Sequence, residues 1–246
     1  MENNKSFKIS TGSFDLNKWL YGGYEKGVIT MLVGPPGSGK TNLALLAACS
    51  QAKKSNKVIF IDTEGGFSID RVKQITGDSY EEILKNIFIL ELTNFEEQEK
   101  CFEKLLSQIK KEQVKLIVMD GMAMLYRLEL GDAIQSKEDD RIRKINRAVA
   151  RQMRILAEIS RKQQIPIIIT NQVYGGFLSE EEWKQGVQKQ VKIVGGDLFQ
   201  YWSKCIIELK HDDGKRKAIL LKHRSLGEKE LSFEIKDKGI FKKGWI

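Results

Sequence analysis

Five short apolar runs occur between residues 28 and 171 of the chain, separated by segments of helical character. The runs are VITMLV at 28–33, KVIFID at 57–62, NIFILEL at 86–92, KLIVMD at 115–120 and IPIIITN at 165–171. Runs of this length are typical of buried parallel strands. The helical segments include TNLALLAACSQAKK, SIDRVKQITG, NFEEQEKCFEKLLSQIKKE and DDRIRKINRAVARQMRILAEISRKQQ. This alternation predicts an α/β fold with a mostly parallel central sheet flanked by helices.

The pattern changes after Ser203, where apolar and polar residues begin to alternate. The segments KCIIELKH, KRKAILLKH and ELSFEI are separated or followed by turn sequences at DDGK and KDKG. Turns of this kind between alternating strands predict C-terminal antiparallel hairpins that extend the sheet. With no internal repeat and no low-complexity linker, we expect a single domain over residues 1–246, with residues 1–8 flexible.

Composition narrows the choice of partners. The chain has 246 residues, 41% of them hydrophobic, and a formal net charge of +8. The length supports one large core, and the charge favours a polyanionic partner such as nucleic acid, although it also keeps many proteins in solution. Cys49, Cys101 and Cys205 lie far apart, so neither a disulfide framework nor a zinc site is predicted. No export signal or spanning run is present, which predicts a cytoplasmic protein without a membrane partner.

A phosphate-binding motif follows the first predicted strand. GPPGSGKT at 34–41 matches G-x-x-x-x-G-K-[ST] and opens a helix rich in Leu and Ala. Glycines let backbone N–H groups converge on phosphate oxygens, and the helix N-terminus adds positive potential. Lys40 is predicted to reach the outer phosphates, and Thr41 to bind Mg²⁺. The predicted nucleotide-binding residues here are Gly34, Pro35, Pro36, Gly37, Ser38, Gly39, Lys40, Thr41 and Asn42.

Three other predicted strands end in polar residues, and in an open α/β sheet those ends line the ligand crevice. Asp120 closes KLIVMD and is predicted to hold the Mg²⁺ shell; a turn-capping aspartate is the alternative. Glu64 follows KVIFIDT and is placed to polarise an attacking water, although a solvated loop glutamate would look the same. Gln172 ends IPIIITNQ and is predicted to contact the γ-phosphate, with a surface glutamine as the alternative.

These motifs, in this order and spacing, resemble the ATPase core of the RecA/RadA recombinase family. The resemblance runs from residue 9 to the end, and VGGDLFQYWSKCIIEL with LLKHRS is most similar to the short archaeal paralogues of RadA. It implies a RecA-like P-loop NTPase core that uses ATP and Mg²⁺. It also implies that Lys40, Glu64 and Gln172 are catalytic, that Arg71 stacks on adenine, and that Gln172 links nucleotide state to the DNA-facing loop behind it.

The chain departs from RadA in two respects. It begins almost directly at the ATPase core, so we expect no N-terminal helix-hairpin-helix domain and no stable self-filament, and the oligomeric state stays open. It also reads LLKHRSLGEKEL where RadA has a proline-containing cap over the neighbouring subunit's ATP. Lys222 and Arg224 are similar to the K-x-R of KaiC-like ATPases, which reaches a neighbour's phosphates; a solvated strand end is an equal alternative.

Candidate DNA contacts fall in three places. The 22 residues between Gln172 and Gly195 correspond to the second DNA-binding loop of recombinases, where we expect Tyr174 and Phe177 to stack on bases and Lys189 and Lys192 to meet phosphates. A basic stripe follows RLELGDAIQSKEDD, the counterpart of the first DNA loop, and a solvated helix face is its alternative. The stripe residues singled out are Arg147, Arg151 and Arg154. The lysine-rich C-terminal hairpins are the third candidate.

The resemblance implies an ATP- and DNA-binding accessory protein of homologous recombination and repair. Its expected properties are weak ATP hydrolysis, no autonomous strand exchange, and single-stranded or branched DNA as a ligand. The implied protein partners are the RadA recombinase and a Holliday-junction-cleaving nuclease whose cleavage it modulates. Two alternatives stay open: a KaiC-like regulatory ATPase, and an adaptor that binds ATP without hydrolysing it.

Overall fold

A computed structural model gives the fold and describes residues 7–175 and 191–244. The strands in these ranges are β1 (Lys8–Ile9), β2 (Tyr24–Glu25), β3 (Ile29–Gly34), β4 (Lys57–Asp62), β5 (Ile87–Glu91), β6 (Val114–Asp120), β7 (Ile167–Gly175), β8 (Val191–Ile193), β9 (Ser203–Asp212), β10 (Lys215–Lys222), β11 (Lys229–Lys236) and β12 (Gly239–Lys242). The helices are α1 (Phe14–Trp19), α2 (Lys40–Ala52), α3 (Ile69–Thr76), α4 (Tyr80–Leu84), α5 (Phe95–Glu112), α6 (Met124–Gln135), α7 (Asp139–Gln163) and α8 (Asp197–Trp202).

One large sheet forms the centre of the fold. Across the described residues its strand order is β12-β11-β10-β9-β3-β7-β6-β4-β5, with β8 paired to the end of β7. The strands from β9 to β5 in this order run parallel, whereas β9 to β12 form antiparallel hairpins. The predicted fold class, a RecA-like α/β core with antiparallel C-terminal hairpins, is therefore confirmed.

Helices cover both faces of the parallel strands because successive strand residues point to opposite faces. Leu32 of β3 belongs to the core under α2, together with Leu43 and Phe60. Its neighbour Met31 belongs to the opposite core, where Met153 lies on the buried stripe of α7. Apolar burial on both faces fixes the register of the strands, since a shift of one residue would exchange the two cores.

The parallel register brings the polar strand ends to one edge of the sheet. Gly34 at the end of β3 lies opposite Gln172 of β7. Asp62 at the end of β4 lies opposite Asp120 at the end of β6. The phosphate loop and the predicted polar residues therefore share the edge formed by the carboxyl ends of these strands.

Two local expectations differ from the structure. The segment RLELGDAIQSKEDD, matched to a DNA loop, is largely helical because α6 extends through Gln135 and α7 begins at Asp139. Lys8, expected in a flexible terminal segment, instead pairs with Glu25 in the small β1–β2 sheet. No helix within the described ranges is long and apolar enough to cross a bilayer.

Candidate nucleotide-binding site

The phosphate loop is shaped by glycines at positions that other residues would strain. Gly39, which precedes α2, has φ of 106°, in the left-handed region that favours glycine. Gly34 lies so close to β9 that an added Cβ would come 2.4 Å from the carbonyl oxygen of Leu209. Both glycines let the backbone turn tightly between β3 and α2, which points the first N–H groups of α2 into the loop.

Lys40 places a nearly buried ammonium group inside this loop. Its side chain donates hydrogen bonds to the carbonyl oxygens of Gly34 and Pro35, each at 3.0 Å. Burial lowers the pKa of Lys40, and the negative charges of Glu64 and Asp120 partly oppose that shift. A buried cation held mainly by loop carbonyls is the donor that a phosphate group would pair with.

The buried Ser38 hydroxyl tests the fit of this loop to phosphate independently. No residue in the described part of the chain makes a hydrogen bond with Ser38 Oγ. A buried hydroxyl without a partner is costly, and it can donate to a phosphate oxygen. Together with Lys40 and the helix N-terminus, it makes the residues present a good match for the phosphates of a nucleotide.

Thr41, Asp120 and Thr170 form a chain of oxygen atoms beside the loop. Thr41 Oγ1 donates to Asp120 Oδ2 at 2.8 Å, and Thr170 Oγ1 donates to Asp120 Oδ1 at 2.6 Å. Thr170 also accepts from the Gly121 N–H at 2.7 Å. Burial raises the pKa of Asp120, and the two threonine bonds act in the opposite direction. The hydroxyl of Thr41 and the carboxylate of Asp120 are the hard oxygen ligands that Mg²⁺ prefers.

Two buried residues that the sequence did not single out hold the loop carrying Glu64. Asp62 accepts hydrogen bonds from the N–H groups of Glu64 and Phe67, at 3.0 and 2.8 Å. Thr63 Oγ1 donates to the carbonyl oxygen of Gly121 at 2.8 Å, which ties the ends of β4 and β6 together. Asp62 follows four apolar residues in KVIFID, so a charged residue closing a buried strand was the available signal.

Glu64 and Gln172 meet at the edge of the sheet that carries the phosphate loop. The Gln172 amide Nε2 donates to Glu64 Oε1 at 3.2 Å. Neighbouring Asn171 fixes the backbone there: its side chain accepts from the Gln172 N–H and donates to the carbonyl oxygen of Val194, both at 2.8 Å. Glu64, which is suited to polarise water, is therefore in direct contact with Gln172, four positions before the 176–190 segment.

Arg71 bridges α3, α2 and the β11–β12 turn. Its Nε donates to Asn42 Oδ1 at 2.7 Å, and its terminal nitrogens donate to the carbonyl oxygens of Lys236 and Asp237 at 2.9 and 3.0 Å. A planar guanidinium held this way, next to the first turn of α2, offers a flat face for a base. Stacking of Arg71 on adenine remains a prediction.

Comparisons with known proteins agree with this arrangement. The model of the Rad51 family matches residues 2–243. The chain is 40% identical over 238 residues to the DNA repair and recombination protein RadB of Methanobrevibacter smithii, covering 95% of each chain. It is 40% identical over 225 residues to RadB of Methanocaldococcus jannaschii, covering 92% of this chain and 98% of the relative. The chain belongs to the RadB group of the Rad51 family. This membership matches the strand order and the phosphate loop described above.

In the described part of this Rad51-family chain the predicted DNA residues lie on β7, β8 and α7. Tyr174 lies at the end of β7 and is 52% exposed. Arg147, Arg151 and Arg154 are exposed on α7, and Arg151 lies 4.0 Å from Glu103. The other candidates have less structural description: Lys192 belongs to β8, whereas Phe177 and Lys189 lie outside the described residues.

The K-x-R pair of this family member lies away from its own phosphate loop. β10 ends at Lys222, toward the edge of the sheet at which β3 begins. Lys222 Nζ donates to the carbonyl oxygen of Gln200 at 2.8 Å, and Arg224 pairs with Glu25 at 2.9 Å. Both cations thus have partners inside the chain, and action on a neighbour's phosphates remains a prediction.

Proposed function

We propose that this chain is an ATP- and DNA-binding accessory protein of homologous recombination and DNA repair, with slow ATP hydrolysis. The contact between Glu64 and Gln172 at 3.2 Å is the observation that carries the proposal. It joins a potential general base to a residue whose backbone continues into the segment matched to a DNA loop. A ligand held by that segment would thereby act on the residue positioned for hydrolysis.

The chemistry proposed for the site is in-line attack of water on a phosphate. When bound, Mg²⁺ would neutralise charge on the phosphate oxygens, and the residues placed to hold it are Thr41 and Asp120. Lys40 and Ser38 would hold the phosphates, and Glu64 would orient and deprotonate the attacking water. Arg71 would position the adenine of the nucleotide. Binding and orientation of the reactants would then account for most of the rate.

We propose single-stranded or branched DNA as the ligand of the 173–194 region and the basic face of α7. Tyr174 offers an exposed ring for stacking, and Arg147, Arg151 and Arg154 offer exposed cations for phosphates. The relatives' names, DNA repair and recombination protein, support the same assignment. The RadA recombinase and a Holliday-junction-cleaving nuclease are the protein partners that the family resemblance implies.

The accessory role rests on residues 220–231, which run from the end of β10 into the start of β11. RadA has a proline-containing cap over the neighbouring subunit's ATP in this position, whereas this chain reads LLKHRSLGEKEL without proline. Arg224 and Lys222 in this segment are engaged with Glu25 and Gln200. We therefore propose slow turnover and no strand exchange by the protein alone.

Turnover and strand exchange test this proposal together. We expect slow ATP hydrolysis that Glu64→Gln reduces at least about 100-fold, the scale of a lost general base. The matched control is Glu91→Gln, an exposed glutamate at the end of β5, which should hydrolyse ATP as wild type does. Equal turnover in Glu64→Gln and wild type would favour an adaptor that uses ATP as a structural ligand. Efficient strand exchange by the protein alone would contradict the accessory role.

A further inference from the structure

A groove of about 820 Å³ lies at the edge of the sheet farthest from β5, outside the nucleotide site. It is bounded by α1 on one side and by the ends of β11 and β12 on the other. Phe14, Trp19 and Leu231 supply its apolar lining, and the Phe14 side chain is 81% exposed. The side walls are anchored, since Ser13 Oγ donates to the Ile240 carbonyl oxygen at 2.6 Å and so joins α1 to β12.

Among the described residues, the first part of β11 has no strand partner on the side that faces this groove. β12 pairs with β11 only from Phe233 to Lys236, and the Lys243 N–H extends the pairing by one bond, at 2.9 Å to the Ser232 carbonyl oxygen. Before Ser232, β11 pairs with β10 on one side and with no described strand on the other. Since N–H and C=O groups alternate in direction along a strand, those of Glu230 point outward as the Ser232 carbonyl does. Such an edge is a template for another strand.

Positive charge predominates around this edge. Lys18, Lys215, Lys242 and Lys243 line the groove, and within the described part of the chain none of their ammonium groups forms an ion pair. The two acidic residues that line it are already engaged. Asp15 Oδ2 accepts from the Lys242 N–H at 2.7 Å, and Glu230 accepts from Lys217 Nζ at 3.1 Å. Four lysines therefore surround an apolar floor, and Asp15 is the one lining carboxylate outside an ion pair within the described residues.

We propose that this groove binds an acidic, extended peptide segment of a partner protein, which adds to β11 as a further strand. Backbone hydrogen bonds to Glu230 would supply strand pairing, apolar side chains would contact Phe14 and Trp19, and carboxylates would meet the lysines. A nucleic acid fits less well, because its phosphates offer acceptors but no donor for the outward carbonyl oxygen of Glu230.

Defined peptides test the charge requirement by fluorescence polarisation. The probe is a labelled peptide that alternates glutamate with valine and phenylalanine. The neutral control peptide has glutamine in place of every glutamate. We expect the acidic peptide to bind at least about tenfold more tightly than the neutral one, since several charge pairs are lost. Lys18→Glu/Lys243→Glu should weaken acidic-peptide binding by about tenfold or more. Lys53→Glu/Lys54→Glu, an equal charge change on the exposed turn after α2, should leave binding unchanged.

A second pair of variants tests strand addition itself. Glu230→Pro removes the outward N–H without removing a bond to β10, whereas Glu230→Ala keeps that N–H. We expect the proline variant alone to lose binding, and peptide binding to slow hydrogen exchange at the Glu230 amide of the wild-type protein. Equal binding of both peptides, or unchanged exchange at Glu230, would overturn the proposal. So would single-stranded DNA binding that the groove variants abolish while acidic-peptide binding persists.

Discussion

Replacing Thr170 by valine perturbs the site without changing its shape. Thr170 is fully buried on β7, and valine has nearly the same volume, so no cavity is created. The hydroxyl donates to Asp120 Oδ1 at 2.6 Å and accepts from the Gly121 N–H at 2.7 Å. Thr170→Val therefore leaves one buried carboxylate oxygen and one buried amide without these partners.

The expected cost follows from these two contacts. A hydrogen bond to a charged group contributes about 1.5–3 kcal/mol, and a buried N–H without a partner costs about 1–3 kcal/mol. Allowing for relaxation and for the added methyl group, we expect Thr170→Val to lower the free energy of unfolding by about 2–4 kcal/mol. For a chain of this size that corresponds to a Tm lower by roughly 5–15 °C. The pKa of Asp120 should also rise further, because one of the bonds that lower it is gone.

Thermal unfolding followed by circular dichroism measures this loss. Thr170→Ser is the matched control, because it keeps the hydroxyl and removes only a methyl group, at a cost of about 1 kcal/mol. The serine variant should therefore unfold between wild type and Thr170→Val. A valine variant with the Tm of wild type would refute the argument that this buried hydroxyl stabilises the end of β6.

Three further predictions concern the nucleotide site. Lys40→Met should keep or raise the Tm of the free protein, because the substitution removes a desolvated ammonium group. The variant should lose the increase in Tm that ATP and Mg²⁺ give the wild-type protein. Differential scanning fluorimetry with and without nucleotide measures both effects. Arg71→Ala should weaken ATP affinity about tenfold in a fluorescent-nucleotide titration through loss of the proposed stacking face, whereas Lys73→Ala, at an exposed cation of the same helix, should not. Mg²⁺-dependent nucleotide affinity should fall as pH drops through the raised pKa of Asp120, because only the carboxylate binds the ion. The stability of the free protein should change with pH in the opposite direction. Because the pKa of Asp120 is raised in the folded protein, the free energy of unfolding should fall as pH increases from the ordinary value of 3.8 through that raised pKa. Urea unfolding over this pH range would detect the fall.

The sequence predicted the parallel core because its apolar runs and turns report local structure directly. The polar ends of β6 and β7 follow from the same pattern, since parallel strands bring their carboxyl ends to one edge. Thr170 was missed because a threonine within IIIT is also an ordinary strand residue. The available signal was its position on the same strand face as the apolar Ile168, where a polar residue is unusual. Its role depends on the register of β7 against β6, which no local pattern specifies.

Two other features depend on contacts that local sequence does not report. The segment RLELGDAIQSKEDD was matched to a loop, yet α6 packs against α7, with Arg141 bonded to Glu129 at 2.8 Å. Tertiary packing thus stabilises a helix in a segment that contains Gly131. The groove beside β11 exists because β12 is shorter than its partner and α1 folds onto its end. The contact of α1 with β12 joins residues more than 200 positions apart, such as Asp15 and Lys242, which are 227 positions apart.

DNA binding measured against nucleotide state tests the central claim most directly. Labelled single-stranded and branched DNA would be titrated with the protein by fluorescence anisotropy at several salt concentrations, with ATP, with ADP and without nucleotide. We predict micromolar or tighter binding that weakens with salt and differs between ATP and ADP, because Gln172 contacts Glu64 and its backbone leads into the segment for which we propose DNA binding. The absence of binding at low salt in every nucleotide state would contradict the account and leave an ATP-dependent regulator as the better description.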